Sequence, residues 1–274
     1  MSAARLVWLP PLAISAVLVL YPLALVLATP LAAPGGFAVL GSSLFLGALV
    51  RTVWIALCST AGCLVLGFTL AVLIGFVPFR GAALAARLVD SIIALPTFLV
   101  ALAFTFVYGA AGLLNGTLLA LSEAGPHALP PVDFLYSQWG VVLAEVTVYT
   151  PFVLRPLLAA FAQLEPAQIE IAGSLGARPW RIVRRIVLPA ALPALLAGGS
   201  LCLLLTVNEF GIVFFIGAKG VITLPLLVYD KAIQEFDYPA ACAIAGVNLA
   251  LSLALFATYR ALLRIGTRGS GGRG

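Results

Sequence analysis

The sequence predicts an all-α, polytopic membrane protein with about six transmembrane helices, and three observations carry that expectation. Of the 274 residues, 63% are hydrophobic and only 9% are charged, whereas soluble domains carry about 25% charged residues. Apolar stretches near the length of about 20 residues that a helix needs to cross the hydrocarbon recur along the chain. Basic residues flank these stretches and do not form a patch of their own, so the net charge of +5 reads as a signal of orientation, not of nucleic-acid binding. The chain is read as one transmembrane domain over 1–274.

The spans follow in order. Leu6 to Ala28 is uncharged behind Arg5 and longer than the apolar region of a cleaved leader, so it is expected to stay as a helix. The second span is Thr52 to Val77, between Arg51 and Arg80. The third covers about 91–111, with Asp90 as a cap at its start and Pro96 as a kink inside it. Gly109, Gly112, Asn115 and Gly116 predict a break here, leaving Gly112 to Leu121 as either an interfacial helix or part of a span. A Pro-rich stretch with Pro126, Pro130 and Pro131, holding the single histidine His127, separates it from the fourth span at 139–161. The fifth covers about 190–216 and the sixth 240–260, and 266–274 is expected to be a flexible tail.

With the N-terminus in the cytoplasm, twelve of the fifteen basic residues fall inside, leaving only Arg51, Lys219 and Lys231 outside. That asymmetry is the positive-inside pattern. It predicts two cytoplasmic termini and places the loop at 165–189 in the cytoplasm.

This loop carries the sharpest motif. Glu170, Ala172, Gly176, Ile186, Leu188 and Pro189 are spaced E-x-A-x3-G-x9-I-x-L-P. Pro166 opens a short helix, Gly176 ends it, and Trp180 to Leu188 reads as a second amphipathic helix with Trp180, Val183 and Val187 near one face. Two short helices around a glycine make a knob that fits a partner's groove. The spacing resembles the cytoplasmic EAA loop of ABC-importer permeases, with Ile171 in place of the usual first alanine. Further stretches, beginning at Asp90, Pro130 and Gly198, are similar to the permease subunits of 2-aminoethylphosphonate importers. Sulfate, molybdate, iron and polyamine permeases share the general pattern.

The resemblance implies a type I ABC-importer permease fold in the bacterial inner membrane. It also implies separate ATP-binding subunits docked on the loop, a second permease subunit, homologous or identical, and a periplasmic substrate-binding protein. Membrane lipid is the surrounding partner. Neither composition nor spacing shows the substrate.

No G-x-x-x-x-G-K-[ST] phosphate loop occurs, so ATP hydrolysis is expected of another chain. No HExxH or GxSxG motif is present, and the four cysteines, Cys58, Cys63, Cys202 and Cys242, lack metal-ligand spacing. They read as small buried hydrophobes, and no catalytic residue, metal or cofactor is expected. Two carboxylates fall inside spans, Glu145 and Glu209, which marks each as a candidate functional residue. One reading places both in the outer half, with Thr206 and Asn208, lining the mouth of a translocation pathway. The other has them satisfying neighbouring helices by hydrogen bonding. Intramembrane carboxylates also suit a proton-coupled secondary transporter, a class that would not need the loop motif.

Overall fold

The computed structural model describes residues 3–124, 130–132, 134–217 and 220–270. His127 and Lys219 lie outside the described residues. The described residues form helices joined by turns, with no strand among them, and six helices are long and apolar enough to cross a membrane: Pro10–Ala32, Ser43–Phe76, Thr97–Glu123, Gln138–Phe161, Pro179–Val207 and Tyr238–Ala261. The chain divides into two compact units, one formed by 1–51 and 222–251 and the other by 52–221 and 252–274.

In the first unit, α1 (Ala3–Ala32) leaves its apolar length exposed. A turn and a short 3-10 segment lead to α2 (Ser43–Phe76). Ser42 opens α2, its hydroxyl accepting from the Phe45 N–H at 3.2 Å. Because α2 starts here, Arg51 sits within the helix rather than before it, and 34 residues give it a length of about 51 Å. The unit's core is Phe45, Ala48, Leu224, Leu227 and Ile244, buried apolar side chains from both ends of the sequence.

In the second unit, α4 (Thr97–Tyr108) and α5 (Leu113–Ala124) occupy the region expected as one span with a break, and α3 (Ala82–Ser91), which was not expected, precedes it. Pro96 does not kink a helix; it caps α4, preceded by the extended Leu95. This follows from the clash of a proline ring with a helical residue before it. Asp90 is likewise not a cap. It lies in the last turn of α3 and accepts a charged hydrogen bond from Arg155, a pair worth roughly 0.2–1 kcal/mol given its exposure. The break between α4 and α5 is held by Asn115, whose amide donates to Gly109 O at 2.9 Å and Val132 O at 3.0 Å and accepts from Val132 N at 2.8 Å.

The centre of this unit is α6 (Gln138–Phe161), which buries Val141, Ala144, Val148, Val153, Leu154 and Leu157. It is capped by the Ser137 hydroxyl. Phe161 near its end packs against Phe68 and Phe76 of α2, ring centroids 6.4 and 4.9 Å apart. The loop helix α7 (Pro166–Ser174) follows, then α8 (Pro179–Ile182), a π-helical turn (Val183–Val187) and α9 (Leu188–Val207). These last three are continuous, so the expected second short helix of the loop is the start of the fifth span.

That span is also shorter than expected at its far end. It breaks at Asn208, and α10 (Gly211–Ile216) begins after Phe210. Beyond it, α11 (Leu224–Tyr229) and a π turn lead to α12 (Tyr238–Ser270). The sequence reading missed α11, six residues with no visible period. Helix α12 is capped by Asp237, which accepts from Ala240 N at 3.1 Å. Its backbone is helical to Ser270, into the stretch expected as a flexible tail; 271–274 lie outside the described residues.

Helix α9 approaches α6 closely at Gly198. A Cβ there would lie 2.9 Å from Phe152 O and from the Val153 Cα. Small residues at such crossings let helix backbones approach in lipid. Gly198→Val is expected to destabilise the detergent-solubilised protein by about 1–3 kcal/mol, read as a lower melting temperature. Gly47→Ala, with open space around it, is expected to leave stability unchanged or raised; equal losses in both would contradict the packing role.

Candidate functional site

Two places in the second unit hold the candidate residues. The first is the loop between α6 and α9. Helix α7 ends in a Schellman motif: Gly176 N–H donates to Gly173 O at 2.9 Å and Ala177 N–H to Ala172 O at 3.0 Å. The motif needs a left-handed residue, and Gly176 has φ +78°. Its position in the spacing is therefore a backbone requirement. The chain then turns at Arg178, whose carbonyl accepts from Arg181 and Ile182, with Pro179 in the first turn of α8.

Around this turn the surface is apolar and exposed. Ile171, Leu175 and Trp180 are 60%, 83% and 72% accessible, an unusual cost outside lipid unless something covers them. The Glu170 carboxylate is exposed beside them. Ile186 and Leu188 are half-buried and Val187 is buried, so the end of the motif anchors the loop to the fifth span. Pro189 explains the π turn before it. Its ring would collide with the carbonyl four residues back, and the wider turn, with Leu188 N–H reaching Val183 O, makes room.

The second place is a polar cluster inside the unit. Glu145 on α6 is fully buried, and neither carboxylate oxygen has a hydrogen-bond partner. Ser59 of α2 lies beside it without the geometry of a formed bond. One turn along α6, the Tyr149 hydroxyl donates to Glu209. The other Glu209 oxygen accepts from Ile212 N–H at 2.9 Å, so this carboxylate caps α10. Thr206 is buried with its hydroxyl bonded to Cys202 O at 3.0 Å. Asn208 donates to Leu204 O at 2.8 Å and to the Ser252 hydroxyl at 3.2 Å.

Of the four residues expected along a pathway, only Asn208 is exposed. Thr206, Asn208 and Glu209 lie together at the break between α9 and α10, with Glu145 and Tyr149 facing Glu209 from α6. Tyr149 and Ser59 escaped the sequence reading. The spacing of Tyr149 four residues after Glu145, one helical turn, was the available signal for the first; nothing local marks Ser59. Cys202 and Cys63 are buried here as small groups, the Cys202 thiol against Tyr149 O at 3.3 Å.

Residues 64–265 match the family described as the binding-protein-dependent transport system inner membrane component. The chain belongs to this family. The permease is 55% identical over 272 residues, 96% of its length and 94% of the relative's, to PhnU of Salmonella typhimurium, named as a 2-aminoethylphosphonate transport system permease protein. It is 35% identical over 188 residues, 67% of its length and 64% of the relative's, to the sulfate transport system permease protein CysT of Escherichia coli. Its fold matches a chain of a bacterial ABC transporter involved in the import of the acidic polysaccharide alginate, with TM-score 0.81 over 95% of both chains at 19% identity. It is thus a multi-pass permease subunit of an ABC importer of the bacterial inner membrane.

In the permease, Tyr149 and Glu209 join helices 60 residues apart in sequence. A double-mutant cycle of Tyr149→Phe and Glu209→Gln, read by thermal denaturation of the purified protein, is expected to give a coupling of about 0.5–3 kcal/mol. Additive losses would mean that the bond does not hold the two helices.

Proposed function

We propose that this permease carries 2-aminoethylphosphonate across the inner membrane, with both termini in the cytoplasm and ATP hydrolysed by separate ATP-binding subunits. The supporting observation is the 55% identity to PhnU over 96% of the chain. Sulfate is the second reading, favoured only by the likeness to CysT over 67% of the chain. A periplasmic binding protein delivers the ligand, and a second permease subunit, homologous rather than identical, completes the pathway. The solved relative in complex with a ligand-bound periplasmic protein has the same fold at TM-score 0.79, which is consistent with that arrangement.

In this reading the loop of Glu170, Ala172, Gly176, Ile186, Leu188 and Pro189 is the coupling element. The exposed Ile171 and Leu175 enter a groove on the ATP-binding subunit by the helix-in-groove mode. The Gly176 turn sets the angle between α7 and α8, and the continuous helix from α8 into α9 transmits the partner's motion as a rigid lever. The lever ends at the α9–α10 break. Interrupted helices with polar ends are where transporters place their substrates, so Thr206, Asn208 and Glu209, with Glu145 behind them, mark the pathway. A carboxylate there suits the ammonium end of an aminophosphonate.

Vesicles holding this permease with its partner subunits are expected to accumulate labelled 2-aminoethylphosphonate only with ATP, and excess unlabelled sulfate or phosphate is expected to leave uptake unchanged. Uptake driven by a proton gradient alone would identify a secondary transporter instead, and competition by sulfate would favour the second reading. Gly176→Trp forces a bulky residue into a left-handed conformation. It is expected to insert normally but to lose the ATP-binding subunits in co-purification, and an intact complex with full transport would rule out the coupling role. Glu145→Gln and Glu209→Gln are expected to reduce uptake in complexes that still assemble; normal uptake in both would remove them from the pathway.

A further inference from the structure

An apolar cleft of about 620 Å³ opens in the second unit between α2, the beginning of the fifth span and α12. Its walls include Leu64, Phe68 and Leu73 of α2, Leu192 and Leu196 of α9, and Tyr259 of α12. Trp180 also lines it, and the same residue lines a separate recess of about 310 Å³ whose other walls are Arg181, Arg184 and Arg185. An apolar slot and a cationic recess thus share one aromatic wall. The three arginines are exposed, and among the described residues the ion pairs are Arg155 with Asp90 and Lys231 with Glu235, so no described carboxylate pairs with them.

The dimensions and chemistry select the occupant. Along α2 the cleft runs from Leu64 to Leu73, about 14 Å at 1.5 Å per residue, close to the roughly 15 Å of hydrocarbon in one leaflet. Guanidinium groups bind phosphate oxygens in pairs, and tryptophan prefers the level of lipid headgroups. Free phosphate would use the recess and leave the slot bare. A soluble protein surface would use the recess but has no reason to fill an apolar slot at membrane depth.

We propose that cleft and recess together bind one anionic phospholipid of the cytoplasmic leaflet, an acyl chain in the cleft and the phosphate on Arg181, Arg184 and Arg185. The bound lipid lies against α8 and the π turn, and so ties the base of the coupling loop to the membrane surface. The proposal rests on the cytoplasmic placement of that loop. Its readout is retained lipid and not transport, so an error in the substrate leaves the test intact.

The permease, purified from membranes in the assembly it forms there, is examined by native mass spectrometry with phosphatidylglycerol, cardiolipin and phosphatidylethanolamine. Wild type is expected to retain the anionic lipids in preference. Arg181→Gln, Arg184→Gln and Arg185→Gln combined are expected to lower that retention about tenfold. Leu196→Trp, which fills the cleft and keeps the arginines, is expected to lower it as well. Unchanged retention in the cleft variant would reduce the effect to surface attraction and overturn the proposal. So would displacement of the lipid by millimolar phosphate, or an arginine variant that keeps lipid but loses the ATP-binding subunits. If the arginine variant fails to assemble, melting decides. Added anionic lipid raises the melting temperature of wild type but not of Leu196→Trp, and an equal rise in both overturns the proposal.

Discussion

A backbone N–H or C=O left unpaired in hydrocarbon costs several kcal/mol, so a chain in a membrane is free to leave the helical state only where another group takes over the bond. Four interruptions in this permease obey that constraint. Asn115 substitutes for backbone partners at Gly109 and Val132. Glu209 accepts the Ile212 N–H where α10 starts, Asp237 does the same for α12, and the Schellman bonds close α7. These four breaks therefore stand at suitable side chains or at glycine.

The same constraint links the two functional places. The fifth span begins in the loop after α7 and ends at a polar break, and between them it is one continuous helix with a π turn in front of Pro189. A continuous helix moves as a body, so in the proposed reading displacement at the loop reaches Asn208 and Glu209 without needing a chain of side-chain rearrangements. Close packing on α6 at Gly198 keeps that movement coupled to the helix that holds Glu145 and Tyr149.

Burying Glu145 without a bonding partner is unfavourable for folding, and the cluster compensates only in part. Tyr149 and the Ile212 N–H satisfy Glu209, while both Glu145 oxygens stay unbonded with Ser59 beside them. An apolar residue would serve packing better at such a position, which is why Glu145 and Glu209 enter the proposed pathway.

Much of this molecule was legible without coordinates. Helical class and the six apolar spans follow from composition, apolar run length and short spacings, all of which act within a few turns of chain. Gly176 was readable as a helix stop because its role is local, a left-handed backbone that side chains rarely adopt. What the sequence left undetermined was which faces meet. Asp90 read as a cap but pairs with Arg155, 65 residues away, and Pro96 read as a kink but starts a helix. The second loop helix proved to be the first turns of a span, and four candidate pathway residues separated into one exposed and three buried. Only the tertiary structure decides these, because a side chain's partner depends on the packing of helices distant in sequence, and no local pattern encodes that distance.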